Sequence, residues 1–416
     1  MKFKLAPLLI FLTVFIVYFG LGTKWTFESL WALDYFNNLA ESLLQGKLNI
    51  SEPGSTYDLV LFQGGWYLPW GALVGLLFIP MQLIKGGYVP SIYLNVLISS
   101  LDVVLFYLIL KRFRRSYFPE LDKVAIWLAT ALFAFGTTHF YVGTLGSSWH
   151  TDQMISSFFG TAGIYMILHD KRGFKDYLLA SICFSISLIG KGTIIMLGTL
   201  PAILYFWDLY QGQMKFKLGR FILLIMPVAL FSVLFLSHNY LRFGDPLEYG
   251  YSYIKEAPYL EQRRVEHDAF SLKHVSYNLH YMLLEAPRFS WNEGIKMDIN
   301  LKGNSILLLT PSLFFMFLAH PFRRFKNKEF RAVLSALWIT MLFTILPSLM
   351  VYSTGWMQFG YRYSLDITAI LVLLSIVGLQ STFQECVSHS RNVSILYSLG
   401  IMAAVYMHYL GITALQ

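Results

Sequence analysis

A single bundle of membrane-crossing α-helices is the architecture this chain predicts, on three observations. Of its 416 residues, 56% are hydrophobic and 13% charged, against about 45–50% and 25% in soluble domains. The apolar residues gather into runs of ~17–25, the length a helix needs to cross a bilayer. The net charge of +8 sits mostly in short segments between those runs, a topology signal before it is a nucleic-acid signal. The same composition argues against disorder. Two cysteines, Cys183 and Cys386, are too few for a disulfide framework or a zinc site.

The runs lie at about 5–22, 89–110, 123–142, 152–168, 177–190, 193–208, 221–241, 304–320, 332–352, 363–380 and 393–411, which makes about eleven spans. The first follows MKFK and resembles a signal peptide. It has a long core and no small-x-small site after Gly22, so it is read as an uncleaved span. Segments 1–4, 111–123, 169–176, 209–220, 321–331 and 381–392 hold more than half of the 32 basic residues. KRFRR (111–115) and RRFKNK (323–328) are the densest. Basic short loops stay cytoplasmic, so the N-terminus and these six segments are expected in the cytosol. The 23–66 loop, the 143–151 turn, the 242–303 loop and the 353–362 turn are then expected outside.

That sidedness requires the apolar run 67–84 not to cross, because a crossing there would flip every later loop. Pro69, Gly71, Gly75 and Pro80 interrupt it, and Trp66, Tyr67 and Trp70 suit a water–lipid boundary. It is read as an outer juxtamembrane or re-entrant helix, the alternative being a plain twelfth span. The expected organisation is thus one all-α integral membrane domain over 1–416. It carries a first outer loop (23–88) and a large outer loop (242–303) whose tyrosines, Trp291 and Phe289 argue for order. No internal repeat, low-complexity tract or interdomain linker is evident.

Ionisable groups at membrane depth are costly and need a reason, and four places hold them on the outer side. In WALDYFNNLAESLLQGKLNI (31–50), Asp34 and Glu41 lie seven apart on one helical side. A low-dielectric edge can raise Asp34 into the range of a general base; the plainer reading is a carboxylate satisfying free helix N–H groups. In GTLGSSWHTDQM (143–154), His150 and Asp152 stand beside Trp149, with a helix cap the plainer role for Asp152. Lys191 sits between two glycines in LIGKGTIIML, either snorkelling to the headgroups or clamping an anion with converging backbone N–H groups. Arg362 stands in MQFGYRYSLD between Tyr361 and Tyr363, either an interfacial anchor or a second phosphate contact, with Asp366 as a possible ion-pair partner. No Asp-x-Asp occurs, so the chain makes no case for a divalent metal, and no other cofactor is expected. Together a carboxylate and two isolated cations on one face suit a reaction with a lipid-linked anionic leaving group.

These motifs resemble the C-superfamily of membrane glycosyltransferases, the polyprenyl-phosphate-sugar-dependent group that includes protein mannosyltransferases and lipid A aminoarabinose transferases. The resemblance rests on Asp34 in LDYFNNLAESLLQGKL, PWGALVGLLFIP after Gly65, and FGTTHFYVGTLGSSWHTD. It continues through Lys191 in LIGKG, HNYLRFGDPLEYGY (238–251) and FGYRYSLD, over about residues 25–370. It implies Asp34 as catalytic base, Asp152 as a second acidic group, Lys191 on the donor phosphate and Arg362 beside it. The chain departs from the pattern in two ways. No large soluble C-terminal domain is expected, and there is one Asp where certain eukaryotic mannosyltransferases have Asp-x-Asp.

The expected activity is transfer of a sugar from a polyprenyl-phosphate donor to an acceptor hydroxyl of a lipid, glycan or protein. The site would lie on the outer face of a cell inner membrane, with Asp34 taking the hydroxyl proton and inversion at the anomeric carbon. Glu41, His150, Tyr361 and Arg242 are further candidates for substrate contact, and 242–303 for closure over the site. The bilayer and these substrates are the expected partners, and nucleic acid is not. One alternative is a glycan polymerase or ligase that uses diphosphate-linked oligosaccharide through Arg263, Arg264 and His267. The other is a transporter or flippase, in which Asp102, with Asp366, would be the intramembrane carboxylates.

Overall fold

Helices form over most of the apolar runs, in a computed structural model describing residues 5–27, 33–71, 74–291, 294–322, 325, 327–355, 358–385 and 390–416. Trp31, Cys386 and the basic residues Arg323, Arg324 and Lys326 lie outside the described residues. After α1 (Leu5–Thr23), a loop carries α2 (Phe36–Leu44), a hairpin of β1 (Val60–Phe62) and β2 (Gly65–Tyr67), and α3 (Gly75–Lys85). The bundle continues with α4 (Ser91–Ser116), α5 (Lys123–Phe135), α6 (Thr138–Thr144), α7 (Ser148–Ile167), α8 (Phe174–Ile186), α9 (Thr199–Tyr210) and α10 (Leu218–Phe243). The long loop after it holds α11 (Pro258–His267), α12 (Val275–Leu279), β3 (Arg288–Ser290), β4 (Lys296–Asp298) and β5 (Lys302–Asn304). Then come α13 (Ile306–Leu309), a 3-10 stretch over Pro311–Ala319, α14 (Lys328–Leu349), β6 (Gln358–Gly360), α15 (Leu365–Glu385) and α16 (Ser390–Leu415).

The molecule is a mostly helical polytopic membrane protein. Among the described residues, seven helices are long and apolar enough to cross a membrane, or eight if the pair α5–α6, bent by 49°, is one span. Three of the eleven expected runs give something else. α7 is long enough, but it carries His150, Asp152 and Gln153 in its first turns. α8 has only 13 residues, and the 304–320 run divides into a four-residue helix and a nine-residue 3-10 stretch. Apolar composition marks such a segment without fixing its length as a helix. The all-α expectation also meets three two-stranded pieces, all in the loops.

α3 has eleven residues and contains Pro80; at ~1.5 Å per residue it is roughly half as long as a hydrocarbon core is thick. It packs on α2, where the Phe36 and Phe78 rings stack at 5.7 Å. α15 runs through the middle of the bundle: every residue from Ser364 to Leu379 is buried, as expected for a helix apolar all round. α10 is the opposite case, exposing Ile222, Leu230 and Leu234 on a face suited to lipid.

Loops segregate to the two ends. At one end Asp58 donates its N–H to the Lys255 carbonyl and Lys255 returns one to Leu59, both at 3.0 Å. Ser271 bonds the Met350 carbonyl at 2.9 Å, and Ser148 that of Leu33 at 3.0 Å. The first loop, the α6–α7 turn, the 244–305 loop and the turn before α15 thereby form one layer. At the other end Arg172 donates to Asp208, Glu329 and the Tyr117 hydroxyl, each at 2.5 Å, joining segments read above as the basic loops.

Candidate active site

Asp152, Lys191, Arg362 and Asp366 meet beneath the loop layer. Each arrives for a local reason. Asp152 lies in the second turn of α7. Lys191 caps a 3-10 stretch, Gly192–Gly198, and its N–H donates to Ser156 Oγ on α7 at 2.7 Å. Arg362 follows β6, which pairs in parallel with β5 of the long loop. Asn304 Nδ2 bonds the Phe359 carbonyl at 2.7 Å, so that loop sets the height of Arg362. Asp366 occupies the first turn of α15.

The charges are arranged in pairs and gaps. Lys191 Nζ lies 2.5 Å from Asp366 Oδ2 and 4.1 Å from the centre of the Tyr363 ring. Asp366 also accepts from Gln153 Nε2 at 2.9 Å and from Thr193 and Ser348 hydroxyls at 3.3 Å. Its partner is therefore Lys191 rather than Arg362. The Arg362 guanidinium donates to the Gly355 carbonyl at 2.7 Å, while its Nε is buried with no hydrogen-bond partner among the described residues. Asp152 Oδ1 is in the same condition, as are Gln153 Oε1, Thr151 Oγ1 and Trp70 Nε1. Asp152 is within electrostatic reach of Lys191, Arg362 and Asp366.

Two glycines make room for Asp152. A Cβ at Gly71, whose φ is +56°, would stand 2.6 Å from Oδ1; at Gly190 it would overlap both that oxygen and Ser156 Oγ. The loop layer adds Asp58 and Glu256. Asp58 is held at φ +59° by the Lys255 bonds, and its carboxylate makes no hydrogen bond among the described residues. Burial raises its pKa to about 7, Glu256 adds to the rise and Arg362 opposes it. Glu256 is engaged by Arg264 at 2.8 Å and the Tyr352 hydroxyl at 2.5 Å.

The remaining sequence candidates fall elsewhere. Asp34 is buried and accepts from Ser91 Oγ at 2.6 Å, Ser91 N at 2.9 Å, Tyr88 OH at 3.1 Å and Asn37 Nδ2 at 3.2 Å. Burial raises its pKa against the pull of those bonds. Its neighbours Leu33 and Tyr35 both bond Ser148, one turn before Asp152. Glu41 is exposed on α2. His150 is buried with Nδ1 2.5 Å from Ser147 Oγ. The Tyr361 hydroxyl donates to Asn278 at 3.0 Å inside the loop layer. Arg242 donates to the Leu68 carbonyl at 2.5 Å and Asn239 Oδ1 at 2.7 Å, fastening the segment before Trp70. Asp58, Glu256 and Gln153 escaped sequence reasoning. STYDLV reads as an ordinary turn before a strand, and nothing local announces that its partner is Lys255–Glu256.

Fold and site together define a polytopic helical membrane protein with a buried, charged, incompletely bonded site under a layer of loops. Its particular likeness is to ArnT from Cupriavidus metallidurans, a lipid A aminoarabinose transferase, in the structure bound to undecaprenyl phosphate. The alignment covers 99% of this chain and 76% of that one, at TM-score 0.52 and 11% identity. The apo state of the same enzyme aligns over 98% and 76% at TM-score 0.48. At such identity the likeness is one of fold. No family model and no curated protein matches the chain.

Proposed function

We propose that this protein is a membrane glycosyltransferase that moves a sugar from a polyprenyl-phosphate donor to an acceptor hydroxyl, on the outer face of a cell inner membrane. The carrying observation is the set of buried polar atoms around Asp152 and Arg362 that lack partners among the described residues. Such atoms are rare in folded proteins and each asks for a ligand or an ordered water. The fold likeness to an enzyme bound to undecaprenyl phosphate supports the donor class.

In this reading Lys191 and Arg362 receive the donor phosphate. Arg362 offers a free N–H direction for it, and Lys191 can share its ammonium between Asp366 and the phosphate. Placed before reaction, the two cations stabilise charge on the departing phosphate, a contribution of roughly 3 kcal/mol. Asp34 takes the acceptor proton as the oxygen attacks, with inversion. Two of its four donors are hydroxyls, which rotate away without backbone movement, so an acceptor hydroxyl can replace one of them. Asp152, bare on one oxygen, orients the donor sugar. The rival residues are occupied: Arg263 donates to the Tyr352 carbonyl at 2.9 Å and lies over Tyr277, and Arg264 pairs with Glu256. Asp102, the carboxylate a transporter would need, is enclosed against His139 at 3.4 Å.

Mass spectrometry of lipids retained by the gently extracted protein tests the donor class. A polyprenyl phosphate or its monosaccharide adduct is expected, depleted in Lys191→Gln/Arg362→Gln; a diphosphate-linked oligosaccharide would overturn it in favour of polymerisation. For the base, Asp34→Asn is expected to lower transfer about 10²–10⁴-fold at saturating donor. Full transfer by that variant, with the loss appearing in Asp58→Asn, would move the role to Asp58.

A further inference from the structure

At the end of the bundle opposite the loop layer, a groove of about 450 Å³ opens between the C-terminal turns of α4 and the start of α5. Its walls include Lys111, Arg114, Arg115 and Lys123, with Tyr107 and Trp127 below them. We propose that this groove is a binding site for the phosphate-bearing headgroup of an anionic phospholipid, separate from the site under the loops.

Four features carry the proposal. The first is unspent charge: none of the four cations forms an ion pair among the described residues, and no carboxylate lines the groove. Glu120 and Asp122 are nearby in sequence but outside its walls. The neighbouring Arg112 behaves differently, donating to the Tyr165 carbonyl at 2.5 Å and stacking on that ring at 4.2 Å. Second, Arg114 lines the groove while its Nε is buried with no hydrogen-bond partner among the described residues, so part of this guanidinium has lost its water without gaining a protein acceptor. Third, the aromatic floor is ordered: the Tyr107 and Trp127 rings lie 5.3 Å apart, with Lys111 Nζ 5.4 Å from the Tyr107 centre. Trp127 and Val124 remain exposed, which suits the boundary between headgroups and acyl chains. Fourth, the size is that of a small-molecule site, ample for one headgroup. A lipid can place its phosphate among the cations while its chains continue past Trp127 and Val124. Free phosphate would satisfy the cations and leave the aromatic floor without purpose.

Native mass spectrometry of the full chain tests this, with added phosphatidylglycerol and phosphatidylcholine as probes. The expected result is retained phosphatidylglycerol adducts with little phosphatidylcholine, weakened about fivefold per charge removed at the groove. Arg114→Gln alone reads one step of that series and keeps the neighbouring charges for insertion. The variant Lys111→Gln/Arg114→Gln/Arg115→Gln/Lys123→Gln should lose the adduct. A control that neutralises Lys171, Lys175, Lys215 and Lys217 at the same end should keep it. Equal loss in the control would overturn the site in favour of general surface attraction. Displacement of the lipid by millimolar inorganic phosphate would overturn the lipid assignment.

Discussion

Asp152 Oδ1 and Arg362 Nε are each buried without a hydrogen-bond partner among the described residues, and each buried polar atom left so costs about 1–3 kcal/mol. The folded chain bears that cost where two cations and two carboxylates converge, which supports the proposed site for a charged ligand. Asp58 adds a titration that can be read directly. Its folded pKa is about 7 against a reference of 3.8, so between roughly pH 4 and 7 the unfolded chain gives up this proton while the folded chain keeps it. Stability therefore falls as pH rises through that window. Asp58→Asn is expected to flatten this part of the profile of melting temperature against pH. An unchanged slope would mean that Asp58 is ionised and solvated throughout.

At the scale of elements, short and irregular pieces position the site. The 3-10 stretch after Lys191 and the turn at Gly190 press against α7, and the parallel pairing of β5 with β6 sets where Arg362 begins. A side chain at Gly190 would displace the Asp152 carboxylate and Ser156. Gly190→Ala is expected to cost about 1–3 kcal/mol, the range for overpacking, and to weaken retention of the polyprenyl lipid. Gly198→Ala, with open space around it, serves as the neutral comparison; equal thermal shifts in the two variants would refute the close approach.

For the whole molecule, the two layers at opposite ends make sidedness measurable. In a chain lacking Cys183 and Cys386, cysteines placed at Lys47 and Lys85 are expected to react with an impermeant reagent from outside. One placed at Lys215 should react only after the membrane is opened. All three residues are exposed. Lys85→Cys labelling together with Lys215→Cys would mean that the 67–84 segment crosses. The eleven-residue length of α3 and its packing on α2 support the expected outcome.

Much of this architecture was readable along the chain, and the division has a physical cause. Hydrophobicity and charge are local properties. The sequence by itself therefore determined a helical membrane protein, with apolar runs, basic connections, and Asp152, Lys191, Arg362 and Asp366 near helix ends. Helix length was less readable, as α8 and the 304–320 run show, because an apolar stretch does not say where its backbone leaves α geometry. Only the tertiary structure decided that Lys191 pairs with Asp366, that Tyr361 points away to Asn278, and that Asp34 is held by Ser91 at the head of α4. Those contacts join residues far apart in the chain. They depend on the path of every helix between them, and no spacing along one segment can encode that path.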